Sequence, residues 1–549
     1  MKIVIVGGVA GGASAAARAR RLSEEAEIIM VERGSYPSFA NCGMPYYIGG
    51  TIESRNKLLV SPIERLRQRY QLDVRVRESV ESIDRANKQI VIRRLETGEQ
   101  YTESYDKLIL APGAAPFRPP IPGIESPGIY TLRNLEDADR LAAATKGAQR
   151  AVVIGAGFIG IEMAENLVHR GLQTSLVELS PQILPPWDAE MVAPLEQLLR
   201  DRGVDLYLGD SATEFRPKDN GLQVVMNSGK TLAADFVVLA IGVRPESTLA
   251  ADADLKVAQR GGIQVNRQQQ TSDPDIYAVG DAIEVTDVVS GTPVQIPLAG
   301  PANRQGRIAA DHIFGRDLEY RGTQGTAIVG LWDHGAAMTG LSEKACQRLG
   351  LEYEKVYLHP GDHAGYYPGA TSMAVKVLFD PETGKLLGGQ VVGKHGIDKR
   401  VDVLSMALQA GMSVFDLEES ELAYAPQFGS AKDPINMAGF IAAGVLRGDQ
   451  PVAHSKDLID GEFEDAVLLD VRTPEEYAAG AIPGSVNVPL DELRDKLDSL
   501  PQGKPVVAYC KVGQRGYMAT RILLLAGYQA RNLSGGYTTY QQVVAASDA

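Results

Sequence analysis

One pattern occurs twice in this chain, and it constrains the fold more than anything else. Residues 2–6 read as a buried strand, the glycines at 7–12 as a turn, Ala13 to Leu22 as a helix, and Ile28 to Val31 as a second strand ending at Glu32. Ala151 to Glu178 repeats the order, with Gly155-Ala156-Gly157-Phe158-Ile159-Gly160 between strand and helix. Each stretch is a βαβ unit, which demands a parallel sheet covered by helices. A lone glycine pattern is a weak signal. Two complete units, about 150 residues apart, point to an α/β chain with two Rossmann-like dinucleotide-binding domains.

In the first unit Gly7, Gly8, Gly11 and Gly12 let the backbone approach a pyrophosphate at a helix N-terminus, where free N–H groups favour anions. Val9 stands where the middle glycine of the usual pattern would be. Glu32, followed by Arg33, is placed to accept from ribose hydroxyls. The second unit carries the full spacing at Gly155, Gly157 and Gly160, and its strand ends at Glu178. A carboxylate there repels a 2′-phosphate, so NADH is expected over NADPH, with Arg170 or Arg200 as the residues that would admit NADPH.

The 549 residues exceed one hydrophobic core, so three or four domains are expected. A net charge of −14 argues against a nucleic-acid partner. The three cysteines, Cys42, Cys346 and Cys510, lie far apart, which favours a reducing cytoplasm over a secreted disulfide scaffold. The apolar start is too short for a signal peptide, and no run reaches the ~18 apolar residues of a membrane span. His359 and His363 are separated by Pro360 and Gly361, which break any helix, so no metal site is expected.

From about Thr326 to Gly444 short alternating segments such as Ser372–Phe379 predict an α+β layer of antiparallel strands with helices. Residues 445–464 are polar and turn-rich and read as a linker. A strand from Ala466 to Val471 opens a last block of about 90 residues. There Val506–Tyr509 is a strand ending at Cys510, and a short loop to Arg515 leads into a helix. N–H groups curling around one point make an anion nest, suited to a thiolate or persulfide anion.

Several segments resemble the pyridine nucleotide-disulfide oxidoreductase family. Thr271 to Asp281 is similar to its distal flavin motif, which implies that Asp281, after Gly280, binds the ribityl chain of FAD. Leu108–Ala114 and Leu239–Pro245 are similar to its crossover segments, bringing in Ala111, Gly113 and Gly242. Cys42 follows the first unit, in the region that faces the flavin in this family, and has no partner cysteine two or four residues away. It must therefore cycle as a mixed disulfide with substrate or as a sulfenic acid. NADH oxidases and peroxidases also use one cysteine but carry a histidine in the first glycine turn, where this chain has Ala10.

Ser38-Phe39-Ala40-Asn41-Cys42-Gly43-Met44-Pro45-Tyr46-Tyr47 resembles the motif of coenzyme A disulfide reductases. That resemblance implies a coenzyme A site at Ser14, Arg18, Arg21, Ser38, Asn41, Asn303, Arg307 and Lys432, the basic residues suiting its phosphates. It also implies a homodimer in which Tyr424 and either Tyr366 or Tyr367 come from the partner. Leu468–Tyr477 and Gly480–Ser485, with Cys510 and Arg515, resemble the rhodanese domain, whose working intermediate is a cysteine persulfide. Tyr537 stands where that family usually has tryptophan.

The whole chain is similar to coenzyme A disulfide reductase–rhodanese fusions. The expected organisation is an FAD-binding domain at 1–120 and 246–325, an NAD(P)H-binding domain at 121–245, a dimerisation domain at 326–444, a linker at 445–464 and a rhodanese-like α/β domain at 465–549. The expected activity is reduction of coenzyme A persulfide, polysulfide or coenzyme A disulfide by NADH through Cys42, with Cys510 handling sulfane sulfur. The rivals are a flavoenzyme of the NADH oxidase or peroxidase kind, and a non-catalytic sulfur carrier or redox sensor.

Overall fold

The structure is a computed structural model describing residues 1–218 and 221–547. Its chain forms two compact units, residues 1–179 with 202–325, and residues 180–201 with 326 onward.

In the first unit Lys2–Val6 lies between Glu27–Glu32 and Lys107–Leu110, all parallel, with Val6 opposite Val31 and Leu110. Ile276–Ala278 and Asp73–Val76 complete the five strands at the edges. Successive residues feed different cores. Val4, Ile29 and Leu108 pack on one face, while Ile3, Ile5, Ile28 and Ile109 pack on the other. A strand buried on both faces has no polar side to show, so it reads as a continuous apolar run. The second nucleotide unit builds an equivalent parallel sheet, in the order 204–208, 173–178, 150–154, 236–239, 129–130. Between the two sheets the crossovers Ala114–Pro116 and Val243–Pro245 pair antiparallel.

The first helix runs Ala10–Leu22, so Gly11 and Gly12 belong to its opening turn and not to the loop expected at 7–12. Tertiary packing explains the glycines. A Cβ on Gly11 would sit 2.9 Å from Val279 Cγ2, and one on Gly12 would sit 1.9 Å from Gly7 O. The same helix packs against Ala299–Ile313 through Ala15, Ala16, Ala19, Ala309 and Ala310. Contact is so close that a Cβ on Gly306 would lie 2.1 Å from Gly11 O.

The second unit holds an antiparallel sheet, in the order 327–331, 334–340, 386–393, 373–379, 354–358, and a parallel one, in the order 452–453, 530–533, 506–509, 467–470, 486–487. Two expectations change here. The stretch read as a linker contributes Val452–Ala453, paired in parallel with Asn532 and Leu533, and the short helix Ser455–Ile459. Residues 180–201, read as part of the nucleotide domain, group with this second unit. A buried charge cluster is one of the links. Lys376 Nζ, wholly buried on the strand Met373–Phe379, donates to Asp188, Glu190 and Glu343, each at 2.7 Å. Burial opposes its charge, yet the carboxylates and Tyr357 hold it well above the usual lysine value. Asp188, Glu190 and Glu343 are also the group that could hold a metal ion among the described residues, but the ammonium already sits among them.

Candidate active sites

Both glycine turns are shaped by what a side chain would hit. Gly7 has φ +95°, and a Cβ there would lie 2.1 Å from Ala111 O. Gly155 has φ +99°, and its Cβ would lie 2.4 Å from Ala240 O. In the second turn Gly160 would strike Gly155 O at 1.8 Å, while a Cβ on Gly157 meets nothing. Space over the middle position is what a pyrophosphate needs. The strand-end glutamates brace the turns: Glu32 accepts from Gly8 N and Gly34 N at 2.7 Å, and Glu178 accepts from Ala156 N at 2.7 Å. Ribose recognition would use the lone pairs left over. Gly113 and Gly242 take positive φ beside the crossover strands. Arg33 pairs with Glu246, which also pairs with Arg133. Asp281 is held in a short turn behind Gly280, whose N–H donates to Gln305, and burial raises its carboxyl above the ordinary range. These residues fit FAD in the first cradle and a pyridine nucleotide in the second.

Arg170 has one guanidinium nitrogen already engaged. Its Nε donates to Ile48 O at 2.7 Å, at the end of the helix Met44–Gly49.

Cys42 occupies the 3-10 turn Asn41–Gly43, just before that helix. Two links fix the turn. Ser38 adopts φ +52°, strained for a residue with a side chain. Its N–H donates to Gly8 O at 2.7 Å, and its own carbonyl accepts from Val60 and Ser61. The thiol is exposed, yet it sits against enough protein that desolvation pushes its pKa up, with Glu162 and then Asp281 adding to the rise. Glu162, which the sequence did not single out, is itself raised to about 7 by burial, reinforced by Glu165 and opposed by a bond from Tyr46. Tyr46 OH donates to Glu162 Oε1 at 3.3 Å.

The expected coenzyme A residues of the first unit fall into two places. Ser38 and Asn41 flank Cys42. Ser14, Arg18, Asn303 and Arg307 meet across the two packed helices, where Ser14 Oγ donates to Asn303 Oδ1 at 2.6 Å. Arg18 bonds Asp311 through Nε at 3.0 Å and Nη2 at 2.5 Å. Arg21 is exposed further along the first helix. Lys432 is exposed in the second unit, where Tyr366 OH and Tyr424 OH are 2.5 Å apart, both rings largely exposed. Tyr367 packs its ring against His363 instead.

Cys510 has the opposite surroundings. It is 1% exposed at the end of Val506–Tyr509, and Gly513 N donates to its Sγ at 3.2 Å from a left-handed turn with φ +97°. Arg515, at the start of the helix Gln514–Leu525, makes two 2.7 Å bonds to Glu476 and is also raised by Cys510. Glu476 in turn is held at about 2, chiefly by Arg515. Gly536 closes the floor: a Cβ there would lie 2.4 Å from Cys510 O. Tyr537 N donates to that oxygen, and the Tyr537 ring lies under the Arg472 guanidinium. The floor also joins the antiparallel sheet, because Tyr357 N donates to Ser534 Oγ at 3.0 Å and His359 Nε2 lies 2.8 Å from Thr539 Oγ1. Cys346 is fully buried in the helix Glu343–Leu349, and burial pushes it to about 12.

Two dinucleotide cradles with an exposed thiol held on the first define a redox fold of the two-dinucleotide class. Comparison with known families gives the same answer. Residues 1–306 match the pyridine nucleotide-disulphide oxidoreductase family, 326–433 match the dimerisation domain of that family, and 454–542 match the rhodanese-like domain. The chain belongs to the pyridine nucleotide-disulphide oxidoreductase family and is an oxidoreductase carrying a rhodanese domain. It is 38% identical to a coenzyme A disulfide reductase of Staphylococcus aureus over 444 residues, covering 80% of this chain and 99% of that protein. Among solved structures it is similar to reduced Bacillus anthracis CoADR-RHD, at 48% identity and TM-score 0.97, over 99% of this chain and 98% of that one. A NAD-dependent persulfide reductase from A. fulgidus follows at 36% identity and TM-score 0.93, over 98% and 100%. No helix of the described residues is long and apolar enough to cross a membrane.

Proposed function

We propose that this protein uses NADH to reduce coenzyme A persulfide, polysulfide or coenzyme A disulfide through Cys42, while Cys510 accepts or presents sulfane sulfur. The observation that carries the reading is the Ser38–Gly8 bond, which ties the Cys42 turn to the glycine turn that fits FAD. FAD would be held by the turn at Gly7 and Gly12 with Glu32 and Asp281, and when bound it would supply a two-electron relay between a nicotinamide and a disulfide.

The Cys42 thiolate attacks the coenzyme A sulfur of a coenzyme A persulfide or disulfide. The S–S bond breaks, a mixed disulfide forms, and hydrosulfide or a coenzyme A thiolate leaves. Two electrons and a proton derived from NADH then cleave the mixed disulfide, releasing coenzyme A and restoring Cys42. A leaving thiolate needs a proton donor, and the Tyr366–Tyr424 phenol pair fits that role, each copy of a homodimer serving the thiol of the other. This pairing favours Tyr366 over Tyr367. At the second thiol, the Gly513 N–H and Arg515 favour an anionic sulfur, as a Cys510 persulfide requires. Glu178 favours NADH, and a reducing cytoplasm suits three unpaired cysteines.

The test follows NADH consumption with coenzyme A persulfide and, separately, with oxygen alone. Fast, persulfide-dependent turnover with stoichiometric sulfide is expected. A single turnover would make the protein a sensor, and rapid thiol-independent oxygen uptake would make it an oxidase.

A further inference from the structure

Three arginines converge on one buried carboxylate between the helices Ala10–Leu22 and Ala299–Ile313. Asp311 is 0% exposed. Arg18 occupies its Oδ1 through two nitrogens. Arg316 Nε lies 3.7 Å from the same oxygen, and Arg307 Nε lies 4.0 Å from Oδ2. Oδ2 accepts no hydrogen bond from the described residues. Arg316 is brought back to the cluster by Gly315, at φ +77°, and by its own N–H, which donates to Asp311 O at 3.0 Å.

A buried carboxylate is expensive, and one guanidinium is enough to neutralise it. Here three gather, and the side chains of Arg307 and Arg316 remain 56% and 55% exposed. The patch keeps an excess of two positive charges in a chain whose net charge is −14. Its placement is directional. Ser14 and Asn303 bond one turn nearer the glycine turn to which the Cys42 loop is tied, so the arginines lie further along the same helix pair, Arg18 being about 6 Å beyond Ser14 at about 1.5 Å per residue. A substrate with its sulfur at Cys42 and a polyanionic far end would lay that end on them.

We infer that Asp311 is a positioning residue that aims Arg18, Arg307 and Arg316 together, and that Arg316 is a further contact for the phosphates of a nucleotide-bearing thiol. This rests on the coenzyme A reading above. Guanidinium forks match phosphate oxygens, and a carboxylate behind them fixes their orientation before the ligand arrives.

The test measures kcat and KM for coenzyme A disulfide and for pantetheine disulfide, which lacks the nucleotide, in wild type, Arg316→Ala and Asp311→Asn. Each substitution should lower kcat/KM for coenzyme A disulfide by about 10-fold, through KM and not kcat, and the ratio between the two substrates should fall with it. Losses shared equally by both substrates, or no loss in Arg316→Ala, would overturn the inference. Arg316 is exposed and decides the matter even if Asp311→Asn misfolds. If wild type itself does not discriminate between the two disulfides, the coenzyme A reading fails first, whatever the variants do.

Discussion

Cys42 and Cys510 are the same atom type in opposite electrical settings. Cys42 stands exposed on a three-residue turn, with Glu162 and Asp281 as its charged neighbours, and its thiol is pushed up. Cys510 is buried, receives a backbone N–H and has an arginine beside it. The first site disfavours an isolated anion, and the second sets a backbone donor and a guanidinium beside its sulfur. Under the function proposed above, a thiol that passes electrons to and from its neighbours gains from not being locked as a resting thiolate, and a thiol that carries sulfur as a persulfide gains from an anion cradle.

The strongest challenge to this contrast is Cys42→Ser. It should leave reduction of bound FAD by NADH intact while coenzyme A disulfide and persulfide turnover fall by at least about 10³-fold. Undiminished steady-state turnover would remove Cys42 from the chemistry. Cys510→Ser should abolish sulfur transfer to a thiol acceptor, by roughly 10²-fold or more, and largely spare reduction of coenzyme A disulfide. Equal damage to both activities would merge the two sites into one.

Smaller effects sharpen the comparison. His359, under the floor of the Cys510 loop, is held down to about 4 by burial. Its unfolded value is near 6.5, so the unfolded chain binds more protons between those limits. Stability of up to about 3 kcal/mol, fully present above pH 6.5, should drain away as pH falls towards 4. His359→Gln should flatten that part of an acid-unfolding curve. At the end of the helix that follows the Cys42 turn, a Cβ on Gly49 would lie 2.0 Å from Asn166 Oδ1 and 2.8 Å from its Cβ. Gly49→Ala should therefore cost about 1–3 kcal/mol in thermal unfolding, and Asn166→Ala added to it should recover part. Last, Glu162 titrates at about 7 and raises Cys42 when charged. Glu162→Gln should increase thiolate-dependent turnover a few-fold above pH 7 and change it little at pH 6, where Glu162 is already mostly neutral. A uniform change across pH would mean that the residue acts by packing.

The sequence exposed those features whose cause is local. Gly12 and Gly160, whose would-be Cβ atoms lie 1.9 and 1.8 Å from the carbonyl oxygens of Gly7 and Gly155 five residues earlier, can be nothing else, so both turns are readable. Gly11 and Gly12 misled on the helix start, because the contacts that require them come from Val279 and Gly7, and neither shows in a periodicity. The two-residue strand Val452–Ala453 has no period to detect, so it read as linker. Lys376, Asp188, Glu190 and Glu343 are scattered over nearly 190 positions and meet only through the fold. Asp311 and Glu162 were invisible for the same reason: a carboxylate on a helix looks solvated until the facing helix is known.

The segment Ser534–Thr539 closes the underside of the Cys510 loop and also grips Tyr357 and His359. A protease cut near Gly448 should for that reason leave the two fragments travelling together on a sizing column. The rhodanese module is thereby clamped to the antiparallel sheet like a docked workpiece, and the Cys510 loop inherits the rigidity of that sheet.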